Sequence, residues 1–356
     1  MVNKKKKQKN KQGIPGKNPY KGLFHYEEKD KGLFYGREPE KKKLFKLVAH
    51  NFLTVVFGKS GIGKTSLLNA GLFPKLRDNG YLPIRLRLDY SSQAPPFREQ
   101  IRTMMTDELK RCRVHEKGKE KEAAQPFDPK ETLWEYFHRV DHWDDTGKNI
   151  VPVLVFDPFE EVFTRGKNHP GIDDLIDELH YLIEDQVPDA VNEQMLNEER
   201  EFPYTGTERN VRVVISLRED YLPGLNSLKS RFPSIDRVLF RVIHLNGKQA
   251  EEIIKVPGGI HDKNVIDNIL DLFQPEDDKK LPMEKLEIEP SLLSLLCFQL
   301  YEKQDIKFIT RTEQDQILID FYDSVLKKLP AGVSQFIESK YFYKGKVWQV
   351  RSLHWV

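Results

Sequence analysis

Eight consecutive residues, Gly58-Lys59-Ser60-Gly61-Ile62-Gly63-Lys64-Thr65, spell G-x-x-x-x-G-K-[ST]. Between a strand and a helix, that spacing makes a phosphate-binding loop of the Walker A kind. Its glycines let backbone N–H groups turn inward around phosphates, and the helix start at Lys64, Thr65 and Ser66 adds the positive end of its dipole. Lys64 can reach the β and γ phosphates, and Thr65 can offer a hydroxyl to Mg²⁺. A plain glycine turn containing a lysine is the alternative, but the apolar run before the loop and the helical spacing after it favour phosphate binding.

Such a loop needs an acidic partner for magnesium, and Ile150-Val151-Pro152-Val153-Leu154-Val155-Phe156-Asp157 ends an apolar run on a carboxylate in the Walker B manner. Asp157 is expected near Thr65 across adjacent strand ends, where open α/β sheets bind ligands; an Asp opening a turn before Pro158 is the other reading. Glu160 and Glu161 stand just beyond, either able to polarise an attacking water or to be a plain surface glutamate. A third run, Val211 to Leu217, ends in Arg218-Glu219-Asp220-Tyr221, so Arg218 can sense the γ phosphate or pair with Asp220 or Glu219.

Other groupings are weaker. His138, Asp141, His142, Asp144 and Asp145 are metal-ligand types without a second cluster at defined spacing, and they read as a solvated helix end. Cys112 and His115 fit one helical turn, which is two ligands and no site. No order of residues suggests a covalent serine hydrolase.

The elements that must hold these residues can be read from periodicity. A helix is expected from about Glu38, a strand over Phe52 to Phe57, a helix continuing through Ser66-Leu67-Leu68-Asn69-Ala70, a half-buried strand over Ile84, Leu86 and Leu88, and a helix from Phe97 to Leu109. Residues 114 to 130 are polar and read as a loop or insertion. Ile150 to Phe156 and Val211 to Leu217 read as strands buried on both faces. Strands alternating with helices imply a largely parallel α/β sheet flanked by helices. After about Leu245 the pattern turns helical, over Ala250 to Val256, Val265 to Phe273, Pro290 to Tyr301 and Gln316 to Leu326. The expected segments are a lysine-rich disordered tail (1–17), an α/β domain with the phosphate loop (18–245), a smaller helical domain (246–330) and a last aromatic-rich stretch (331–356) that reads as the start of a truncated element.

Composition sets the limits. The 356 residues carry 57 basic against 55 acidic side chains, a net charge of +2, so there is no global field to gather nucleic acid. The lysines among residues 4–17 could still touch nucleic acid or an anionic surface, though the composition favours a solubilising tail. Two cysteines, Cys112 and Cys297, build neither a disulfide framework nor a zinc site of four thiolates, and with no apolar run long enough to span a bilayer a cytoplasmic protein is expected.

Asn18-Pro19-Tyr20-Lys21-Gly22-Leu23, Leu33-Phe34-Tyr35-Gly36-Arg37-Glu38, the loop at Gly58, Phe156-Asp157-Pro158-Phe159-Glu160-Glu161-Val162-Phe163 and Leu217-Arg218-Glu219-Asp220-Tyr221 together resemble the novel STAND NTPase family, over roughly residues 18 to 330. The resemblance implies an additional-strand, AAA-like P-loop NTPase fold (18–245) followed by a helical lid domain (246–330) and the start of a truncated winged-helix or other C-terminal element (331–356), with sensor repeats in segments this chain lacks. It makes Tyr35, Gly36 and Arg37 adenine-side contacts, and Pro290, in Glu289-Pro290-Ser291-Leu292-Leu293, the lid proline beside adenine. Pro158 stands where the family usually has Gln, and Ile288 and Glu289 replace its usual glycine and leucine. ATP or ADP with Mg²⁺ are the implied ligands, and the implied role is a signalling or defence switch that self-associates on ATP binding and hydrolyses slowly. A continuously cycling ATPase or small-molecule kinase, or a nucleic-acid-binding module led by the basic tail, remain the alternatives.

Overall fold

Leu53–Gly58 (β1) is buried along almost its whole length, as a strand is when helices cover both faces of its sheet. Its neighbours show the same alternation. Val55, Leu154, Val213 and Ile215 enter one apolar cluster, while Val56, Val153, Val155 and Val214 enter the cluster on the opposite face. The computed structural model describes residues 18–110, 112–117, 127–128, 130–197, 208–275 and 280–303, together with 312, 316, 342–343 and 346–347. These fall into two units, 25–244 and 18–24 with 245 onward. Residues 18–24, expected with the sheet, therefore group with the helical segment instead.

In the first unit the sheet adds β2 (Tyr81–Leu86), β3 (Arg113–Glu116), β4 (Val140–Trp143), β5 (Asn149–Phe156), β6 (Arg212–Arg218) and β7 (Leu239–Arg241). The order is β3-β4-β5-β6-β1-β7, with β2 pairing β5 off that path. β2, β5, β6, β1 and β7 run parallel, while β3 and β4 join antiparallel. The fold is an α/β P-loop NTPase of the additional-strand type. One sequence expectation is corrected: β1 and β5 are not adjacent, because β6 lies between them.

Helices cover both faces. Leu44 and Val48 of α1 (Glu38–His50) and Leu76 of α3 (Phe73–Asp78) fill one cluster. Ile101 and Met105 of α4 (Phe97–Leu109) and Leu175, Leu179 and Leu182 of α6 (Ile172–Glu184) fill the other, and of the helices that follow, α7 (Asp189–Leu196) and α8 (Leu222–Ser227), the second adds Leu225 to it. The helix expected after the phosphate loop is a short α2 (Lys64–Ser66) that widens into a π-helix over Leu67–Leu72, a rare geometry that concentrates at functional sites.

The stretch 114–130 is corrected in part. Residues 113–116 form β3, where Val114 lies opposite His142, so Cys112 and His115 do not share a helical turn. Arg139, ending α5 (Leu133–Arg139), fastens this edge: its guanidinium donates to Glu116 at 2.6 Å and to both oxygens of Glu131 at 2.6 and 2.9 Å. His138 and His142, expected at a solvated helix end, are buried, and His142 is 0% exposed with Nε2 3.1 Å from the Tyr136 hydroxyl. Their partners, Asp185 for His138 and Tyr136 for His142, are structural. Among the described residues no cluster of three or more His, Cys, Asp or Glu side chains could hold a metal.

Burial, and secondarily the nearby Lys117 ammonium, hold the His142 imidazole down to about 3. In the unfolded chain this ring takes up a proton near pH 6.5. The unfolded state thus binds the extra proton between these values, so stability is full above the upper one and is lost as pH falls. Between pH 7 and pH 5 His142 is expected to cost about 2 kcal/mol of unfolding free energy. Urea unfolding of the native chain and His142→Asn at both pH values checks it, and equal losses in the two proteins would refute it.

In the second unit α9 (Gly247–Lys255), α10 (Lys263–Asp271) and α11 (Pro290–Lys303) enclose Leu245, Ala250, Ile254, Ile266, Leu293 and Leu296. Tyr20 is buried among them and its hydroxyl donates to the Ile254 carbonyl at 3.0 Å. A short antiparallel pair joins β8 (Phe342–Tyr343) to β9 (Lys346–Val347). The lysine-rich tail over 1–17 lies outside the described residues, as does most of the helix expected over 316–326 and of the element expected over 331–356. No helix among the described residues is long and apolar enough to cross a membrane.

Candidate functional site

The loop leaves β1 at Gly58, where a side chain has no room: a Cβ there would lie 2.6 Å from the Val242 carbonyl oxygen. Gly61 and Gly63 take left-handed backbone angles, φ 72° and 90°, which cost glycine nothing. Lys59 and Gly61 form the exposed rim, Ser60 is half-buried and Ile62 is 2% exposed in the core below. Gly63 caps α2, and its carbonyl accepts the Leu67 N–H at 2.9 Å.

Lys64 folds back over the loop, donating to the Gly58 and Lys59 carbonyls at 2.9 and 3.0 Å. An ammonium carries three donors, so these two bonds leave one for a ligand. Burial lowers its pKa, opposed by the Glu160 and Asp157 carboxylates, while the Arg218 guanidinium lowers it further. The two carboxylates and Arg218 therefore all act on the lysine's charge.

Thr65 Oγ1 donates to Asp157 Oδ2 at 2.9 Å, although β6 separates the strands behind them. Asp157 follows β5 and is 2% exposed. A hydroxyl and a carboxylate are hard oxygen donors, and Mg²⁺ typically takes one or two such protein ligands, keeps several waters and shares phosphate oxygens. The pair fits that ion, with Thr65 and Asp157 the residues that would hold it.

The two glutamates diverge. Burial raises the Glu160 pKa, the backbone amides of Glu160 and Arg218 and the Lys64 ammonium lower it, and Asp157 raises it. Its Oε2 is buried with no hydrogen-bond partner. Glu161 instead sits 3.6 Å from Arg165 and beside Tyr90, whose pKa burial raises first and the Glu161 charge second. Arg218 lies in register with Gly58 across β1 and β6, with Nη2 on Asp220 at 2.7 Å and the guanidinium 5.7 Å from the Tyr221 ring. It reaches the loop edge while already paired with Asp220.

Of the remaining expected residues, Arg37 and Ser66 make hydrogen bonds within the protein. Arg37 is 3% exposed and donates to Glu40 at 2.9 Å and to the Ile62 and Ile243 carbonyls at 3.3 and 2.8 Å. Its guanidinium is thus turned to the loop's own backbone. Gly36 beside it is left-handed, φ 77°, and Tyr35 is half-buried. The Ser66 hydroxyl accepts the Tyr26 N–H at 3.1 Å and so holds the segment ahead of α1. Pro290 opens α11 in the second unit.

One residue was not anticipated. Arg85, on β2, donates from Nη2 to Asp157 Oδ2 at 3.2 Å. The only signal for it in the sequence is an arginine inside the alternating run Ile84 to Leu88, and nothing local states that β2 pairs with β5.

Several solved structures are similar to the chain at low identity. The Walker-type ATPase PABY2304 of Pyrococcus abyssi is 15% identical, covering 89% of this chain and 79% of its own, with a TM-score of 0.49. The Aeropyrum pernix Orc1 protein, solved in complex with DNA, is 12% identical over 84% and 70% of the two chains, with a TM-score of 0.45. The Aeropyrum pernix Orc2 protein, solved in ADPNP-ADP complexes, is 10% identical over 88% and 83%, also with a TM-score of 0.45. At those scores none bears on what this chain does. No curated protein matches the chain. A family model does: Novel STAND NTPase 1 matches residues 19–325. With that match spanning the phosphate loop, the acidic strand end and the helical segment, the chain belongs to the novel STAND NTPase 1 family.

Proposed function

We propose that this NTPase is an ATP-binding switch of the STAND type, acting in signalling or defence, in which nucleotide state sets opening and self-association and hydrolysis is slow. The observation that carries the reading is the meeting, at one sheet edge, of the Lys64 ammonium, the Thr65–Asp157 pair and a buried, unpartnered Glu160 oxygen. In this reading the loop backbone and Lys64 bind the phosphates, Thr65 and Asp157 hold Mg²⁺, Glu160 takes the proton of the attacking water, and Arg218 senses the γ phosphate. Magnesium, when bound, neutralises phosphate charge. Tyr35 and Gly36 are proposed to border the adenine. Arg37 is proposed to act through the Ile62 carbonyl, and Pro290 as the lid residue of the family. Slow turnover fits a switch whose lifetime in each state must outlast signalling; a cycling motor or kinase would turn over at about 1–100 per second.

The test combines thermal melting with mass measurement. Mg·ATP or Mg·ADP at about a hundred times its Kd is expected to stabilise the protein by about 2.7 kcal/mol, several degrees in melting temperature. Lys64→Ala should abolish the shift. Assembly should differ between ATP and ADP, and the same mass with both would end the switch reading while leaving the site intact.

A further inference from the structure

We infer that Arg85 is the resident counter-ion of Asp157 and that it makes metal capture at this carboxylate conditional on phosphate. The inference rests on the proposed role of Asp157 in holding a divalent ion and assigns a further residue to that site.

A carboxylate this deeply buried needs a compensating positive charge. Asp157 Oδ2 receives two donors: the neutral Thr65 hydroxyl at 2.9 Å and the Arg85 guanidinium at 3.2 Å. The other nearby cation, Lys64, directs two of its three donors to the loop carbonyls of Gly58 and Lys59. Arg85 is therefore the cation bonded directly to the carboxylate.

Its position comes from the strand. Arg85 lies opposite Val155 in the parallel β2–β5 ladder, and the Asp157 N–H donates to the Leu86 carbonyl at 3.2 Å. The two strand ends thus bring the guanidinium and the carboxylate together. The contact is made by Nη2, while Nε is buried without an acceptor. This is one hydrogen bond, where an arginine clamped on a carboxylate makes two. The arginine is held firmly enough to cancel the charge and loosely enough to yield.

The consequence is electrostatic. With Arg85 in place the Thr65–Asp157–Arg85 group carries no net charge, so a bare divalent ion gains little by binding there and meets a like charge beside it. A metal arriving on a triphosphate brings its own negative charge and overcomes both terms. The arginine thereby keeps the switch from loading free metal in place of metal nucleotide.

The experiment is a Mn²⁺ titration followed by electron paramagnetic resonance on the full chain, without nucleotide. Arg85→Gln should bind Mn²⁺ about ten-fold more tightly than the native protein, and Arg85→Lys, which keeps the charge, should remain near the native value. Arg85→Met is a second neutral variant should the glutamine one fail to fold. Adding Asp157→Asn to Arg85→Gln should remove the gain. A purely structural role would loosen the metal in every variant, the opposite direction. Equal Mn²⁺ affinity in native and neutral variants overturns the inference alone. Binding of Mn·ATP by the native chain that Asp157→Asn leaves unchanged overturns the metal role of Asp157, and the inference with it.

Discussion

Glu160→Gln is expected to lower nucleotide hydrolysis by about 10²–10⁴-fold, the usual worth of a positioned general base, while Glu161→Gln stays within a few-fold of the native rate. The two neighbours are equivalent in the sequence but not in space. Glu160 is half-buried beside Lys64, Asp157 and the Arg218 amide, with one buried oxygen unpartnered, whereas Glu161 is engaged with Arg165. A base works only when ionised, and burial raises the Glu160 pKa, so the native rate should fall as pH drops through a value above the ordinary glutamate range. Single-turnover hydrolysis across pH on the native chain and both variants decides the matter. A larger loss in Glu161→Gln would reverse the assignment. Nucleotide binding, read by melting shift, should survive in Glu160→Gln.

Arg37→Ala is expected to destabilise the sheet unit by about 3–5 kcal/mol, the cost of removing one partner from a buried charged network. Three acceptors lose their donor together: Glu40 and the Ile62 and Ile243 carbonyls. Burial lowers the arginine's pKa and Glu40 raises it, which describes a desolvated cation dependent on its partners. Arg37→Lys should recover only part of the loss, because one ammonium cannot reproduce the planar fork that serves three acceptors. Urea unfolding monitored on the transition of this unit gives the number; a loss below about 1 kcal/mol would put the residue in the class of exposed ion pairs. Because Ile62 is a loop residue, the melting shift given by nucleotide should shrink in Arg37→Ala as well.

Much of this was legible in the residues. The spacing from Gly58 to Thr65, the apolar run ending at Asp157 and the alternation of strand and helix patterns are local, and local periodicity follows directly from backbone geometry. The start of α1 and the whole of α4 could be placed from the sequence, since their apolar positions recur at helical spacing. β3 could not: Arg113, Val114, His115 and Glu116 form a polar edge strand whose identity depends on its pairing with β4. The π-helix over Leu67–Leu72 was equally hidden, because its residues suit an ordinary helix.

The site divides along the same line. Residue types and short spacings declared the phosphate loop and its acidic partner, since that chemistry is written within eight consecutive residues and at the end of one strand. Which groups meet across the chain was decided by tertiary structure alone. Arg85 and Asp157 are 72 positions apart and Arg37 and Ile243 206, while Thr65 and Asp157, 92 apart and expected to meet, do so across an intervening strand. These meetings depend on strand order, with β6 inserted between β1 and β5 and β2 set against β5. Strand order is fixed by how both faces of the sheet bury their apolar clusters at once, a cooperative property of the packed chain that no single segment carries.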